Sequence, residues 1–114
     1  MDMKTALDFM PDVLHVGGSK YKVILTDAAW NASTESHGMV ETSEMTVYLC
    51  VAQTPTEFLN TLLHELSHVV WREWNLPSRP REERAVTAMG YGWAAIYRQN
   101  PELVEVISVL STCD

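Results

Sequence analysis

Thr54-Pro55-Thr56-Glu57-Phe58-Leu59-Asn60-Thr61-Leu62-Leu63-His64-Glu65-Leu66-Ser67-His68 is the stretch whose reading decides the fold. Thr54 reads as an N-cap, Pro55 as the first helical residue and Glu57 as the acceptor three residues after the cap, so the first-turn amides are satisfied. From there Phe58, Leu59, Leu62, Leu63, Leu66, Val69, Val70 and Trp74 recur at helical spacing and fill one broad arc at about 100° per residue. Glu57, Thr61, His64 and His68 fall in the opposite arc, with Glu65 at its margin. The segment is a two-faced helix. One face belongs to a core, and the other presents two imidazoles.

Residues four apart stand one turn above each other, so His64 and His68 can reach one metal ion with Glu65 beside them. Neutral imidazole is a good Zn²⁺ ligand, and two of them leave room for a third protein ligand and a water. An adjacent carboxylate can take the proton of that water. The bland alternative is a solvated helix face carrying two idle histidines, which is the default for an arbitrary pair. The glutamate between them and the capped helix favour a metal site.

A third ligand is expected from the next helix. Asn75-Leu76-Pro77-Ser78-Arg79-Pro80 ends the first helix and starts another, and Arg81 to Gln99 carries a stripe of Val86, Met89, Trp93, Ile96 and Tyr97 before Asn100-Pro101 stops it. Glu82 and Glu83 lie in its first turn, where the helix dipole favours acidic residues without any metal. Glu82 points nearer the centre of the apolar stripe. Glu83 shares a face with Thr87, Gly90 and Ala94, small residues that admit a close partner.

Thr61 to His68, the proline-containing turn, Glu82-Glu83-Arg84-Ala85-Val86-Thr87-Ala88-Met89-Gly90 and Tyr97-Arg98-Gln99-Asn100-Pro101-Glu102-Leu103 together resemble the short gluzincin-like zinc metallopeptidases, above all the minimal ones encoded by bacteriophages. More distantly they resemble the ImmA/IrrE-type peptidase domain. The resemblance covers roughly residues 55 to 103. It implies His64, His68 and a downstream glutamate as zinc ligands, with Glu65 as general base. By register Glu83 takes the third place, since Val86, Met89 and Gly90 follow it at the family spacing. Pattern and register together favour Glu83 over Glu82.

At 114 residues and 46% hydrophobic, the chain is expected to form a single domain with its own core. The start, Met1-Asp2-Met3-Lys4, lacks the basic region and apolar run of a signal peptide, and no apolar stretch reaches membrane-spanning length. The expectation is a cytoplasmic protein (host cytoplasm if phage-encoded), without membrane contact. Cys50 and Cys113 lack metal-ligand spacing and read as packing residues. A net charge of -7 with eight Lys and Arg argues against nucleic-acid binding, despite the small basic group Arg79, Arg81 and Arg84. The carboxylates are scattered, which speaks against imitation of nucleic acid.

The first half reads as strands over Val13 to Val16, Tyr21 to Thr26 and Met45 to Val51, with Met39 to Thr42 adding to the last or standing alone. Lys4 to Met10 suits a short helix, and Ala29 to Gly38 reads as a long polar loop. The expected fold is α+β: a small antiparallel or mixed sheet on the core face of the motif helix, the second helix across its ligand face, and a short third helix from Glu102 to Leu110. His15 and His37 read as ordinary polar residues, His37 having the stronger claim because it sits in a loop. Nothing selects Tyr91 or Tyr97 as an oxyanion donor.

The chemistry expected is peptide-bond hydrolysis by a zinc-activated water, with Glu65 as base and His64, His68 and Glu83 on the metal. The partner is a peptide or protein substrate, held along an exposed strand edge such as Thr46 to Val51. The protein would act as a monomer or small oligomer. The rival reading is a zinc-stabilised, non-catalytic binding module. A purely structural site has no need of Glu65.

Overall fold

Gly17 and Gly18 turn the chain back on itself first. Gly17 holds φ 62°, a conformation without steric cost only for glycine, and the two-residue turn pairs β1 (Val13–Val16) with β2 (Ser19–Thr26) in antiparallel register, Val16 opposite Ser19. The structure is a computed structural model describing residues 2–77 and 81–113, with every side chain among them except that of Val86. Ser78, Arg79 and Pro80 of the interhelical turn lie outside the described residues, as does the side chain of Val86 in the apolar stripe.

Ahead of β1, α1 (Met3–Asp8) is capped by Asp2, whose side chain accepts from the Thr5 amide. The expected loop from Ala29 to Gly38 is largely a helix, α2 (Ala28–Thr34). The reason is local: the Asp27 carboxylate caps it through the Trp30 amide at 3.0 Å, Glu35 ends it in the left-handed region at φ 56°, and the Trp30 ring stacks on Tyr48 at 5.9 Å. After it, β3 (Gly38–Glu41) is a strand of its own, antiparallel to β4 (Thr46–Cys50), and β4 lies parallel to β2. The sheet order is β1-β2-β4-β3, so the sheet is mixed and the fold is α+β.

α3 (Pro55–Glu73) starts as its sequence requires: Thr54 Oγ1 accepts from the Glu57 amide at 3.2 Å, and the Glu57 carboxylate accepts from the Thr54 amide at 3.1 Å. Its buried Phe58, Leu62, Leu66, Val69 and Val70 meet Leu14, Val16, Tyr21, Val47 and Leu49 of the sheet. The chain ends with α4 (Glu82–Gln99) and α5 (Pro101–Thr112), and α5 adds Leu103, Val106 and Leu110 to the same core.

α4 does not lie across the ligand face of α3, as the sequence suggested. It seats Gly92 on Val70, a core-face residue, where any Cβ would collide with both γ-carbons of the valine, and it also packs against β1. The ligand face is left open to solvent. A second correction concerns the sheet edge: within Thr46 to Val51, residues Thr46–Cys50 form the interior strand β4, and among the described residues the edges are β1 and β3.

Those edges differ. Asn100, 1% exposed, accepts from the His15 amide at 2.8 Å and donates to the His15 carbonyl at 2.7 Å, while Gln99 makes the same pair of bonds to Gly17. Two side-chain amides thus occupy the outer backbone of β1 and its turn as a neighbouring strand would. No described strand pairs with the outer edge of β3.

Candidate metal centre and its groove

α3 carries His64, Glu65 and His68 across one turn. The two imidazoles are exposed and converge, with Nε2 atoms 3.2 Å apart and ring planes at 79°. Two nitrogens on one tetrahedral zinc at about 2.05 Å would stand roughly 3.3 Å apart. The donor pair fits a single metal ion.

Glu65 stands beside the pair on α3, shares one cavity with His64 and another with His68, and is 8% exposed. Its carboxylate makes no hydrogen bond to a described residue. Burial pushes its pKa above the usual carboxylate range, against the pull of nearby His68 and His64, which lowers it. Its carboxylate lines both cavities of the groove and reaches solvent through them.

Gly38, the first residue of β3, brings the open edge against this carboxylate. A Cβ there would stand 2.7 Å from Thr61 Cγ2, 3.0 Å from Glu65 Cγ and 3.2 Å from the Tyr48 carbonyl oxygen. Its φ is not in the left-handed region, so it is space that excludes a side chain. The close approach makes a groove between β3 and α3. Towards the C-terminal end of α3 it opens into about 560 Å³ lined by Met39, Val40, His68, Trp71, Arg72 and Leu76. Towards the other end a cavity of about 290 Å³ takes in His37, Asn60, Thr61 and His64, and Gly38 and Glu65 line both.

His37 is therefore a site-lining residue that its sequence context did not single out. The available signal was the glycine after it, at the head of a strand that runs close to the motif helix. Its backbone is fixed by the Cys50 amide, which donates to its carbonyl at 2.8 Å, while its side chain is exposed. At the far end of the groove Arg72 donates to the Tyr21 hydroxyl at 2.7 Å, and that hydroxyl donates to Glu73 at 2.6 Å. Burial, then the hydrogen bond to Glu73, raises the Tyr21 pKa.

Glu83 is not brought to the histidine pair. It is exposed and lines a separate cavity with Trp74, Arg81, Arg84 and Tyr91. The crossing of Gly92 on Val70 accounts for this, because Glu83 lies nine residues earlier in α4, about 13 Å along the axis. Glu82 is likewise exposed, and among the described residues no group of three or more His, Cys, Asp or Glu is placed to hold a metal ion. Tyr91 and Tyr97 are exposed, Tyr97 packing on Trp93, and neither lines the groove beside the pair. Among the described residues no helix is long and apolar enough to cross a membrane. No family model, curated protein or solved structure matches the chain.

Proposed function

We propose that this protein is a zinc-dependent metallopeptidase of the minimal gluzincin-like kind, acting on peptide or protein substrates in the cytoplasm. The observation that carries the reading is Glu65, a largely buried residue whose carboxylate opens on the groove beside two converging imidazoles, at a wall with an open strand edge. His64 and His68 would hold the ion. Bound there, Zn²⁺ would supply Lewis-acid polarisation of a carbonyl and make water acidic near neutral pH.

The residues of the chain do the rest. Glu65 accepts a proton from the attacking water and delivers it to the leaving amine, a role suited to a carboxylate whose pKa burial has raised. The outer edge of β3 offers backbone groups to an extended substrate, and Gly38 sets that strand at its distance from Glu65. Glu83 is our third donor on the strength of the resemblance and its register. That role requires the first turn of α4 to approach the pair, a displacement that the free energy of metal binding would have to supply.

The alternative is a zinc-stabilised binding module without catalysis, and the openness of the groove in so small a chain favours it. Titration with zinc separates the ligand assignments. One ion per chain should bind and raise the melting temperature by mass action, with binding lost in His64→Ala and weakened far more by Glu83→Gln than by Glu82→Gln. Zinc binding that survives His64→Ala would remove the site. The reverse order for the glutamates would transfer the third place to Glu82.

A further inference from the structure

The groove between β3 and α3 has unlike ends. Where α3 finishes, Trp71, Met39, Val40 and Leu76 make an apolar wall, and the Arg72 guanidinium on it, 42% exposed, is paired with the Glu73 carboxylate at 3.6 Å. Where α3 begins, His37, Gln53, Asn60 and Thr61 line a polar cavity of about 370 Å³ with the Glu57 carboxylate. Shared lining residues join the two: Gly38 and Glu65 belong to the apolar and middle cavities, and His37, Asn60 and Thr61 to the middle and polar ones. From Glu57 to Arg72 is 15 residues of helix, about 22 Å. An extended hexapeptide spans about 20 Å and fills that length.

β3 runs in the same sense as α3, from Gly38 beside Thr61 to Thr42 beside the cavity of Arg72. Antiparallel pairing is the more stable per residue, so a peptide added to β3 runs from the Arg72 end to the Glu57 end. Resting on the metallopeptidase reading for the position of the scissile bond at Glu65, we infer that the substrate class is an extended peptide with an apolar or aromatic residue on the N-terminal side of that bond and a basic residue on the C-terminal side. Trp71 and its neighbours receive the apolar side chain. The apolar wall offers a cation no carboxylate, since the Glu73 carboxylate is paired with Arg72, and Glu57 attracts one at the other end.

The test measures binding, so it does not depend on turnover. Full-length Glu65→Gln protein loaded with zinc is titrated, by fluorescence anisotropy, into labelled Gly-Phe-Gly-Gly-Lys-Gly and Gly-Lys-Gly-Gly-Phe-Gly, which have one composition and opposite order and carry the two side chains about 10 Å apart on the backbone. The Phe-first order should bind about tenfold or more tightly, the scale of burying one aromatic side chain. Trp71→Ala should remove that preference by weakening the Phe-first peptide alone. Glu57→Gln keeps the capping box, which accepts either residue, but removes the charge, and it should narrow the preference severalfold. Equal affinity, the opposite preference, or a preference untouched by both variants overturns the inference. Failure of zinc-loaded wild type to cleave the bound Phe-first peptide counts instead against the enzymatic reading and leaves the binding result standing.

Discussion

Replacing Gly38 by alanine should push the edge strand off the motif helix. The added Cβ would stand 2.7 Å from Thr61 Cγ2 and 3.0 Å from Glu65 Cγ, against at least 3.4 Å for ordinary contact, so something must yield by 0.7 Å or more (3.4 − 2.7). Thr61 cannot turn away freely, because its hydroxyl donates to Gln53 Oε1 at 2.9 Å. The Tyr48 carbonyl on the third side, at 3.2 Å, is backbone of β4. The strand itself must shift, at about 1–3 kcal/mol for overpacking a close contact. In an enzyme a misplacement on the order of 1 Å can cost about a hundredfold in rate. Gly38→Ala should therefore melt several degrees lower, bind zinc at wild-type stoichiometry and hydrolyse peptide up to about a hundredfold more slowly. Gly18→Ala meets nothing within 4 Å and serves as the control for handling. Wild-type stability and activity in Gly38→Ala would refute the claim that this spacing matters.

In metal-free protein Glu65→Gln should be stabilising at neutral pH, by up to about 1 kcal/mol, because it removes a partly desolvated charge that makes no hydrogen bond to a described residue. The sign follows from the raised pKa: the contribution of Glu65 to stability is fully present below the unfolded value and is lost as pH rises through the folded one, so the gap between variant and wild type should open from about pH 4 upward. Melting curves of the two metal-free proteins at pH 4 and pH 8 check this, and a variant no more stable at pH 8 contradicts it. Tyr21 has a raised pKa as well, so wild-type stability should fall as pH climbs from about 10 through the folded value. Tyr21→Phe should lack that alkaline step but lose about 1–3 kcal/mol at pH 7, since Arg72 and Glu73 each lose a hydrogen bond to the phenol; denaturant melts at both pH values report it.

The motif helix was the most legible part of the chain because its signals are local. Cap, proline, stripe and histidine spacing all lie within 21 residues, and each is fixed by helix geometry alone. The strands Val13 to Val16 and Tyr21 to Thr26 were readable for the same reason, the second beginning two residues earlier, at Ser19, in the structure. What failed was relational. α2 hides in a polar segment anchored by an aspartate cap, a stacking tryptophan and the Asn31 amide bonded to the Ser36 carbonyl, none of which gives an apolar period. The interior place of β4 depends on β3 and β2 pairing to either side of it, which its own alternation cannot reveal. The seat of α4 turns on a single glycine against Val70, so a stripe correct in kind did not tell which face of α3 it would cover. Of the candidate site, His64, Glu65 and His68 were legible as a unit. His37 and Gly38 enter only through the approach of β3, a contact between segments far apart in sequence.

The central claim is that Glu65 acts as a base beside a metal held by His64 and His68. Wild type and Glu65→Gln, both zinc-loaded, should be compared for zinc content, fold and hydrolysis of the same peptide. The account predicts equal zinc per chain, an intact fold and hydrolysis reduced by about a hundredfold or more in the variant, the usual contribution of a positioned base. Zinc-loaded Glu65→Gln that retains all the biological activity of the wild type would contradict it, and would leave the protein as a binding module.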